Sequence, residues 1–139
     1  MDSDLLQTHC VADEEKGWAI TERELEERRT AAVEKNGFDI RALTLINPGN
    51  PTGQVLSRED LEIICKFCAK YDIVLLADEV YQRNIYDENK EFVSAKKVAI
   101  ETPGCENLQL ISFHSTSKGT CKFLQHVSET VYSCRCLHF

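Results

Sequence analysis

The chain has 139 residues, of which 42% are hydrophobic, and this size and composition are sufficient for one globular domain with a core. Its net charge of -7 and its scattered basic residues argue against binding of DNA or RNA. No apolar stretch approaches the roughly 20 residues that span a bilayer, and the acidic start Met1-Asp2-Ser3-Asp4 lacks the features of a signal peptide. The sequence therefore predicts a cytoplasmic protein without a membrane segment. Seven cysteines without regular spacing fit the reducing conditions of that compartment.

The first predicted element is a helix that begins after Thr21. Thr21 is the expected N-cap and Glu24 its capping-box partner, while Ile20 and Leu25 would form a hydrophobic staple. Gly37 is expected to end the helix. The many Glu and Arg residues of this segment predict that its remaining surface faces solvent.

Two strands with a helix between them are predicted next. Residues 42–46 and 73–77 are short apolar runs and are expected to be strands buried on both faces. Ser57 and Asp60 resemble a capping box at the start of the intervening helix. The apolar residues of that helix recur at i, i+3, i+4 and i+7, namely Leu61, Ile64, Cys65 and Cys68. This order predicts a parallel pair of strands joined by a right-handed crossover.

A shorter helix and a third strand follow. The helix is expected over residues 94–101, ended by Thr102-Pro103-Gly104, and the strand over residues 108–113. Strands that alternate with helices indicate an α/β fold, with a mostly parallel sheet and flanking helices.

A polar motif follows each predicted strand. The motifs are Asn50-Pro51-Thr52-Gly53, Ala77-Asp78-Glu79-Val80-Tyr81 and Phe113-His114-Ser115-Thr116-Ser117-Lys118-Gly119. Open parallel sheets bind ligands at the carboxyl ends of their strands, so position alone makes these motifs candidates for a site. Asp78 would be partly desolvated there and would need a cationic or hydrogen-bonding partner.

In this order the motifs resemble the pyridoxal-phosphate site of fold-type I aminotransferases. The longer segments that contain these motifs, residues 47–56, 76–82 and 112–115, are most similar to alanine aminotransferases. The resemblance implies that residues 1–119 are a partial cofactor-binding large domain of such an enzyme, with pyridoxal 5'-phosphate as its cofactor. It also implies amino-acid and 2-oxo-acid substrates, with alanine and 2-oxoglutarate as the expected pair, and a homodimer in full-length relatives.

The resemblance assigns a role to each of five residues. Lys118 would hold the cofactor as a Schiff base and later move the proton between substrate and cofactor. Asp78 would keep the ring nitrogen protonated. Asn50 and Tyr81 would donate hydrogen bonds to the phenolic oxygen, and the hydroxyl of Ser115 would bind the phosphate. His114 is part of the segment that is similar to alanine aminotransferases, but no role is expected for it.

Simpler explanations exist for each feature alone. An Asn-Pro or Pro-Thr-Gly stretch is commonly a turn, an aspartate after a strand is often an N-cap, and a lysine beside glycine is usually solvated. Three such motifs in this order favour the cofactor site. Cys65 and Cys68 could form a redox or zinc half-site, but their helical phase predicts a place in the core.

Residues 120–139 have a different character and no assignable fold. They hold possible zinc donors whose spacing matches no common zinc motif, so no metal is predicted; these are Cys121, His126, Cys134, Cys136 and His138. In relatives an arginine that contacts the cofactor phosphate stands at the place of His126, and histidine is not an equivalent fixed cation.

The divergent tail and the short amino-terminal side lead us to expect a truncated gene model, a splice form or a decayed copy. Activity of this chain alone is therefore not expected. Three alternatives to alanine transamination stay open: a glutamate and glyoxylate aminotransferase, a lyase with the same cofactor, and a non-catalytic fragment. Such a fragment would be either unfolded and degraded or retained as an interaction module that pairs with a full-length subunit.

Overall fold

The computed structural model describes residues 20–35, 37, 39–85, 90–115 and 130–134. These residues include a four-stranded sheet in which the spatial order of the strands is the chain order. Its strands are β1 (Ala42–Ile46), β2 (Val74–Asp78), β3 (Leu110–His114) and β4 (Thr130–Cys134). β1, β2 and β3 are parallel neighbours, as predicted, whereas β4 pairs antiparallel with β3. β4 was not predicted, since the sequence indicated no fold for the segment that contains it.

The first helix, α1 (Glu22–Thr30), begins as predicted. The Thr21 hydroxyl accepts a hydrogen bond from the Glu24 N–H at 3.3 Å. The helix continues into an unpredicted π-helical turn over Ala31–Lys35. Gly37 then adopts a φ of 68°, in the left-handed region that favours glycine, and confirms the predicted end of the helix.

The second helix, α2 (Arg58–Lys70), begins with a complete capping box. The Asp60 N–H donates to the Ser57 hydroxyl at 3.1 Å, and the Asp60 carboxylate accepts from the Ser57 N–H at 3.1 Å. The same carboxylate accepts from the Ile20 N–H at 3.0 Å, which ties the residue before α1 to the start of α2. The third helix, α3 (Ala95–Glu101), also matches its prediction, with Ser94 as N-cap. None of the described helices is long and apolar enough to cross a membrane.

The hydrophobic core lies on one face of the sheet. Leu45 of β1, Leu75 and Ala77 of β2 and Leu110 of β3 form one cluster with apolar side chains of all three helices. On the other face, β1 is exposed, and Ile46 keeps 45% of its surface in contact with solvent. The prediction that β1 and β2 are buried on both faces is wrong, because the described helices all pack on the same side. β2 alternates between buried and half-buried residues for the same reason.

The predicted apolar stripe of α2 is confirmed. Leu61, Cys65 and Cys68 are fully buried and Ile64 is 1% exposed, so these cysteines act as core residues. Burial raises the pKa of the Cys65 and Cys68 thiols to about 12. Both are free of disulfide bonds.

We therefore expect thiol reagents to modify Cys65 and Cys68 last in the native chain. The reactive form is the thiolate, which burial suppresses at neutral pH. Cys134 and Cys136, in the segment for which the sequence predicts no assignable fold, should react well before them. Mass spectrometry of peptides after timed alkylation measures the order, and equal rates at all four thiols would show that α2 is not packed.

Candidate functional site

The carboxyl ends of β1, β2 and β3 lie side by side, and each continues into one of the three motifs. Backbone hydrogen bonds extend past the strands themselves. The Asn47 N–H donates to the Asp78 carbonyl at 3.0 Å, and the Glu79 N–H donates to the Phe113 carbonyl at 3.1 Å. The structure thus brings the first residues of the motifs to one edge of the sheet.

The loop after β1 is closed by a buried side chain. Asn47 is fully buried, and its Oδ1 accepts a hydrogen bond from the Leu56 N–H at 3.0 Å, which joins the two ends of the loop. Inside the loop, the Gly53 N–H donates to the Gly49 carbonyl at 2.8 Å. Gly53 has a φ of 67°, a conformation that suits glycine. This turn presents Asn50 at the exposed part of the loop.

Asn50 and Tyr81 meet although 31 residues separate them in the chain. The Asn50 side-chain amide donates to the Tyr81 hydroxyl at 3.5 Å, the outer limit of a hydrogen bond. Asn50 is exposed and Tyr81 is half-buried, so a ligand can reach both. Two hydrogen-bonding groups from different loops therefore converge at the carboxyl edge.

Asp78 is the last residue of β2 and is half-buried. Its Oδ1 accepts from the Val80 N–H at 3.3 Å, which orients the carboxylate. The following residues form successive turns rather than a helix, with the Gln82 N–H bound to the Glu79 carbonyl at 3.2 Å. A turn after β2, and not a helix, therefore places Tyr81 near Asp78 at the carboxyl ends of the strands.

The third motif is described only in part. Ser115 follows β3 and is 5% exposed. The preceding residue, His114, lies against the turn after β2: the Gln82 side-chain nitrogen is 3.3 Å from each of its ring nitrogens. Lys118 lies outside the described residues, so its place beside the other site residues stays a prediction, as do the five assigned roles.

Glu79 lies in the site region, and no role is predicted for it from the sequence. It is 7% exposed, and its carboxylate accepts a hydrogen bond from the Ala95 N–H at 2.7 Å. Desolvation raises the pKa of this carboxyl, against the opposing effect of the Ala95 N–H. The sequence held no signal for this burial, because the apolar run before Glu79 does not show which face of β2 the helices cover.

Glu79→Gln should change the pH dependence of stability. A raised native-state pKa means that stability is fully present below the ordinary glutamate pKa of 4.5 and is lost as the pH rises through the native value. Glutamine does not titrate and can still accept the Ala95 hydrogen bond. The stability of the variant relative to wild type should therefore increase from acidic to neutral pH, as urea unfolding at each pH would measure.

Glu59→Gln, on the exposed side of α2, controls for the loss of one negative charge. A stability difference between wild type and Glu79→Gln that is constant over this pH range would contradict the raised pKa of the Glu79 carboxyl.

Comparison with known proteins identifies similar sequences over most of the chain. The family model described as "Aminotransferase class I and II" matches residues 5–120. The Dictyostelium discoideum protein named "Probable alanine aminotransferase, mitochondrial" is 52% identical over 115 residues, which are 81% of this chain and 21% of that protein. "Glutamate--glyoxylate aminotransferase 1" of Arabidopsis thaliana is 45% identical over 109 residues, 77% of this chain and 22% of that protein.

A solved structure agrees with the sequence relatives. The crystal structure of an aminotransferase from Escherichia coli has a TM-score of 0.56 and 28% sequence identity, over 77% of this chain and 23% of that chain. In sequence and in structure, the chain spans about a fifth of the length of the proteins that it matches.

Proposed function

Because the chain belongs to the class I and II aminotransferase family, we propose that it forms the cofactor-contacting edge of an enzyme that transfers an amino group with pyridoxal phosphate. The predicted fold class is confirmed: a partial large domain of a fold-type I enzyme, with a mostly parallel sheet. The proposed substrates are alanine and 2-oxoglutarate, in line with the 52% identity to the Dictyostelium protein. The observation that carries the proposal is the approach of Asn50 to Tyr81 at 3.5 Å, beside the strand end that carries Asp78.

The side chains at this edge fit pyridoxal phosphate by their chemistry. The Asn50 amide and the Tyr81 hydroxyl can both donate hydrogen bonds to its phenolic oxygen, and the Asp78 carboxylate complements its protonated ring nitrogen. The hydroxyl of Ser115 suits its phosphate. When bound, the cofactor serves as an electron sink for the charge that develops at the substrate α-carbon.

The protein residues would orient the ring and handle the proton. Asp78 would favour the protonated state of the ring nitrogen through its negative charge. Asn50 and Tyr81 would stabilise negative charge on the phenolic oxygen and hold the ring in one orientation. Lys118 would bind the cofactor covalently, and its amine, once displaced by the substrate, would take the proton from the substrate α-carbon as a general base.

Glutamate and glyoxylate are the second candidate pair of substrates, since the Arabidopsis relative is 45% identical over a similar part of the chain. A lyase reaction and a non-catalytic role beside a full-length subunit are the remaining alternatives. The homodimer that the resemblance implies for full-length relatives and the cytoplasmic location expected from the sequence are part of the proposal.

The hydroxyl of Tyr81 provides a direct test of the proposed cofactor site. Tyr81→Phe should weaken the affinity of the chain for pyridoxal phosphate about tenfold, because a hydrogen bond to a charged acceptor contributes roughly 1.5 kcal/mol. An absorbance titration of the chain with the cofactor measures this change.

Tyr71→Phe is the matched control, since it removes a hydroxyl that binds the Glu26 carboxylate at 2.7 Å, away from the carboxyl edge. Equal losses of affinity in the two variants, or no loss in Tyr81→Phe, would count against the assignment of Tyr81 to the cofactor.

A further inference from the structure

Glu79 is a buried carboxylate between the site residues Asp78 and Tyr81, and the proposed reaction does not use it. It makes three contacts with different parts of the fold. Its N–H donates to the Phe113 carbonyl at 3.1 Å, and its carbonyl accepts from the Gln82 N–H at 3.2 Å. Its carboxylate accepts from the Ala95 N–H at 2.7 Å. Glu79 therefore connects β3, the turn after β2 and the first residue of α3.

The carboxylate contact distinguishes Glu79 from an ordinary turn residue. A carboxylate that is 7% exposed is costly to bury unless hydrogen bonds compensate for the lost water. Ala95 supplies one of the N–H groups that a helix leaves unpaired in its first turn, and the positive end of the helix dipole favours a negative group there. The contact thus provides a hydrogen-bond donor for the buried carboxylate and an acceptor for an unpaired N–H group at the start of α3.

The side chain of Glu79 is not placed to touch a ligand of Asp78. Successive side chains of an extended chain point to opposite faces, so Glu79 follows the buried Ala77 towards the helices, while Asp78 is on the other side. A role in the reaction would therefore be indirect. The hydrogen bond from Ala95 fixes where the turn lies relative to α3, and Tyr81 is carried by that turn.

We propose that Glu79 is a positioning residue, whose carboxylate fastens the turn of residues 78–82 to the start of α3 and so holds Tyr81 beside Asn50. The positioning itself is a property of the chain without cofactor. Its effect on cofactor binding rests on the proposed function. If that function holds, a shift of α3 would be transmitted through this contact to the residues at the phenolic oxygen.

Two variants of similar volume separate the hydrogen bond from the space that the side chain fills. Glu79→Gln keeps an accepting oxygen, and Glu79→Met removes it. Nuclear magnetic resonance spectra of the 139-residue chain without cofactor report the distance between the two site residues. The nuclear Overhauser effect between the Asn50 side-chain amide protons and the Tyr81 ring protons should persist in Glu79→Gln and be lost in Glu79→Met. The Ala95 amide should exchange with deuterated water about tenfold faster in Glu79→Met, as expected for a lost hydrogen bond.

Ala95→Pro tests the same contact from the donor side. Proline is accepted at the first residue of a helix and has no N–H, and Ser94 already has the extended backbone that precedes proline, with φ -75° and ψ 144°. Loss of the Asn50 to Tyr81 signal is expected here too. This variant decides the matter if circular dichroism shows that Glu79→Met is unfolded.

Ser94→Ala is the control for a weakened helix start, since the Ser94 hydroxyl accepts a hydrogen bond from the Lys97 N–H of the same helix at 3.2 Å. The Asn50 to Tyr81 signal should persist in it. Persistence of that signal in Glu79→Met or Ala95→Pro, its loss in Glu79→Gln, or an equal loss in Ser94→Ala would overturn the proposal.

Cofactor affinity extends the test to function. Glu79→Met should bind pyridoxal phosphate about tenfold more weakly than Glu79→Gln, because its hydrogen-bond donors are no longer held in place. Failure of wild type to bind the cofactor at all would refute the proposed function, while the spectra recorded without cofactor would still decide whether Glu79 positions Tyr81.

Discussion

Borohydride reduction of the chain with pyridoxal phosphate is expected to attach the cofactor to Lys118, and Lys118→Ala should abolish this label. The bond between a lysine amine and the cofactor aldehyde is reduced to a stable amine, so the modified lysine survives digestion. Peptide mass spectrometry identifies it. The site-specific label should be lost completely in Lys118→Ala, because one lysine of the proposed site binds the cofactor covalently.

Lys97→Ala is the matched control, because Lys97 is an exposed lysine on α3 and should contribute only non-specific label. Saturating cofactor is required, since the chain spans about a fifth of the length of its relatives and weak binding is expected. Label on another lysine, with Lys118 unmodified, would refute the assignment of this residue.

Lys118→Ala should also suppress transamination in a chimera in which residues 5–120 replace the matching segment of the Dictyostelium relative. Removal of a general acid or base lowers a rate by about 10²- to 10⁴-fold, and loss of the covalent bond to the cofactor adds to it. Pyruvate formation from alanine and 2-oxoglutarate measures the rate. The 139-residue chain alone should form no pyruvate, because positioning of the substrate is expected to need contacts from the rest of the protein.

The same assay separates the alternatives. Formation of 2-oxoglutarate from glutamate and glyoxylate, faster than pyruvate formation, would favour the second substrate pair. An inactive chimera that folds would favour the non-catalytic fragment. Robust turnover by the 139-residue chain would show that this part of the family fold is sufficient, contrary to our expectation.

Most helices and strands could be predicted because their signals are local. The capping box of Ser57 and Asp60 involves residues three apart, and the stripe from Leu61 to Cys68 reflects the helical period alone. The faces of β1 could not be predicted in the same way. An apolar strand has the same sequence pattern whether helices cover one side or both, and only the assembled fold shows that Ile46 is exposed. β4 is stabilised by pairing with β3, and the sequence pattern of residues 130–134 does not indicate that pairing.

The site shows a similar division between local and tertiary information. The motifs and their positions at strand ends could be predicted, and the resemblance supplied a pair, Asn50 and Tyr81, that the structure brings into contact. The links between the loops could not be predicted. Glu79 binds the backbone N–H of Ala95, 16 residues away, and Gln82 contacts His114, 32 residues away. Helical and strand periodicity in the sequence indicates neither contact.

The order of the strands has a consequence for how the chain folds. Each described strand pairs with the strand that precedes or follows it in the sequence, so no later strand has to insert between two strands that are already paired. Such pairings close comparatively short loops, and short loops lower the entropic barrier to folding. β1, α2 and β2 can form first, and β3 then adds to the edge of β2. Because Asn50 and Tyr81 follow strands of that first unit and Glu79 binds the start of α3, the contact between Asn50 and Tyr81 should be fixed once α3 has packed against the unit.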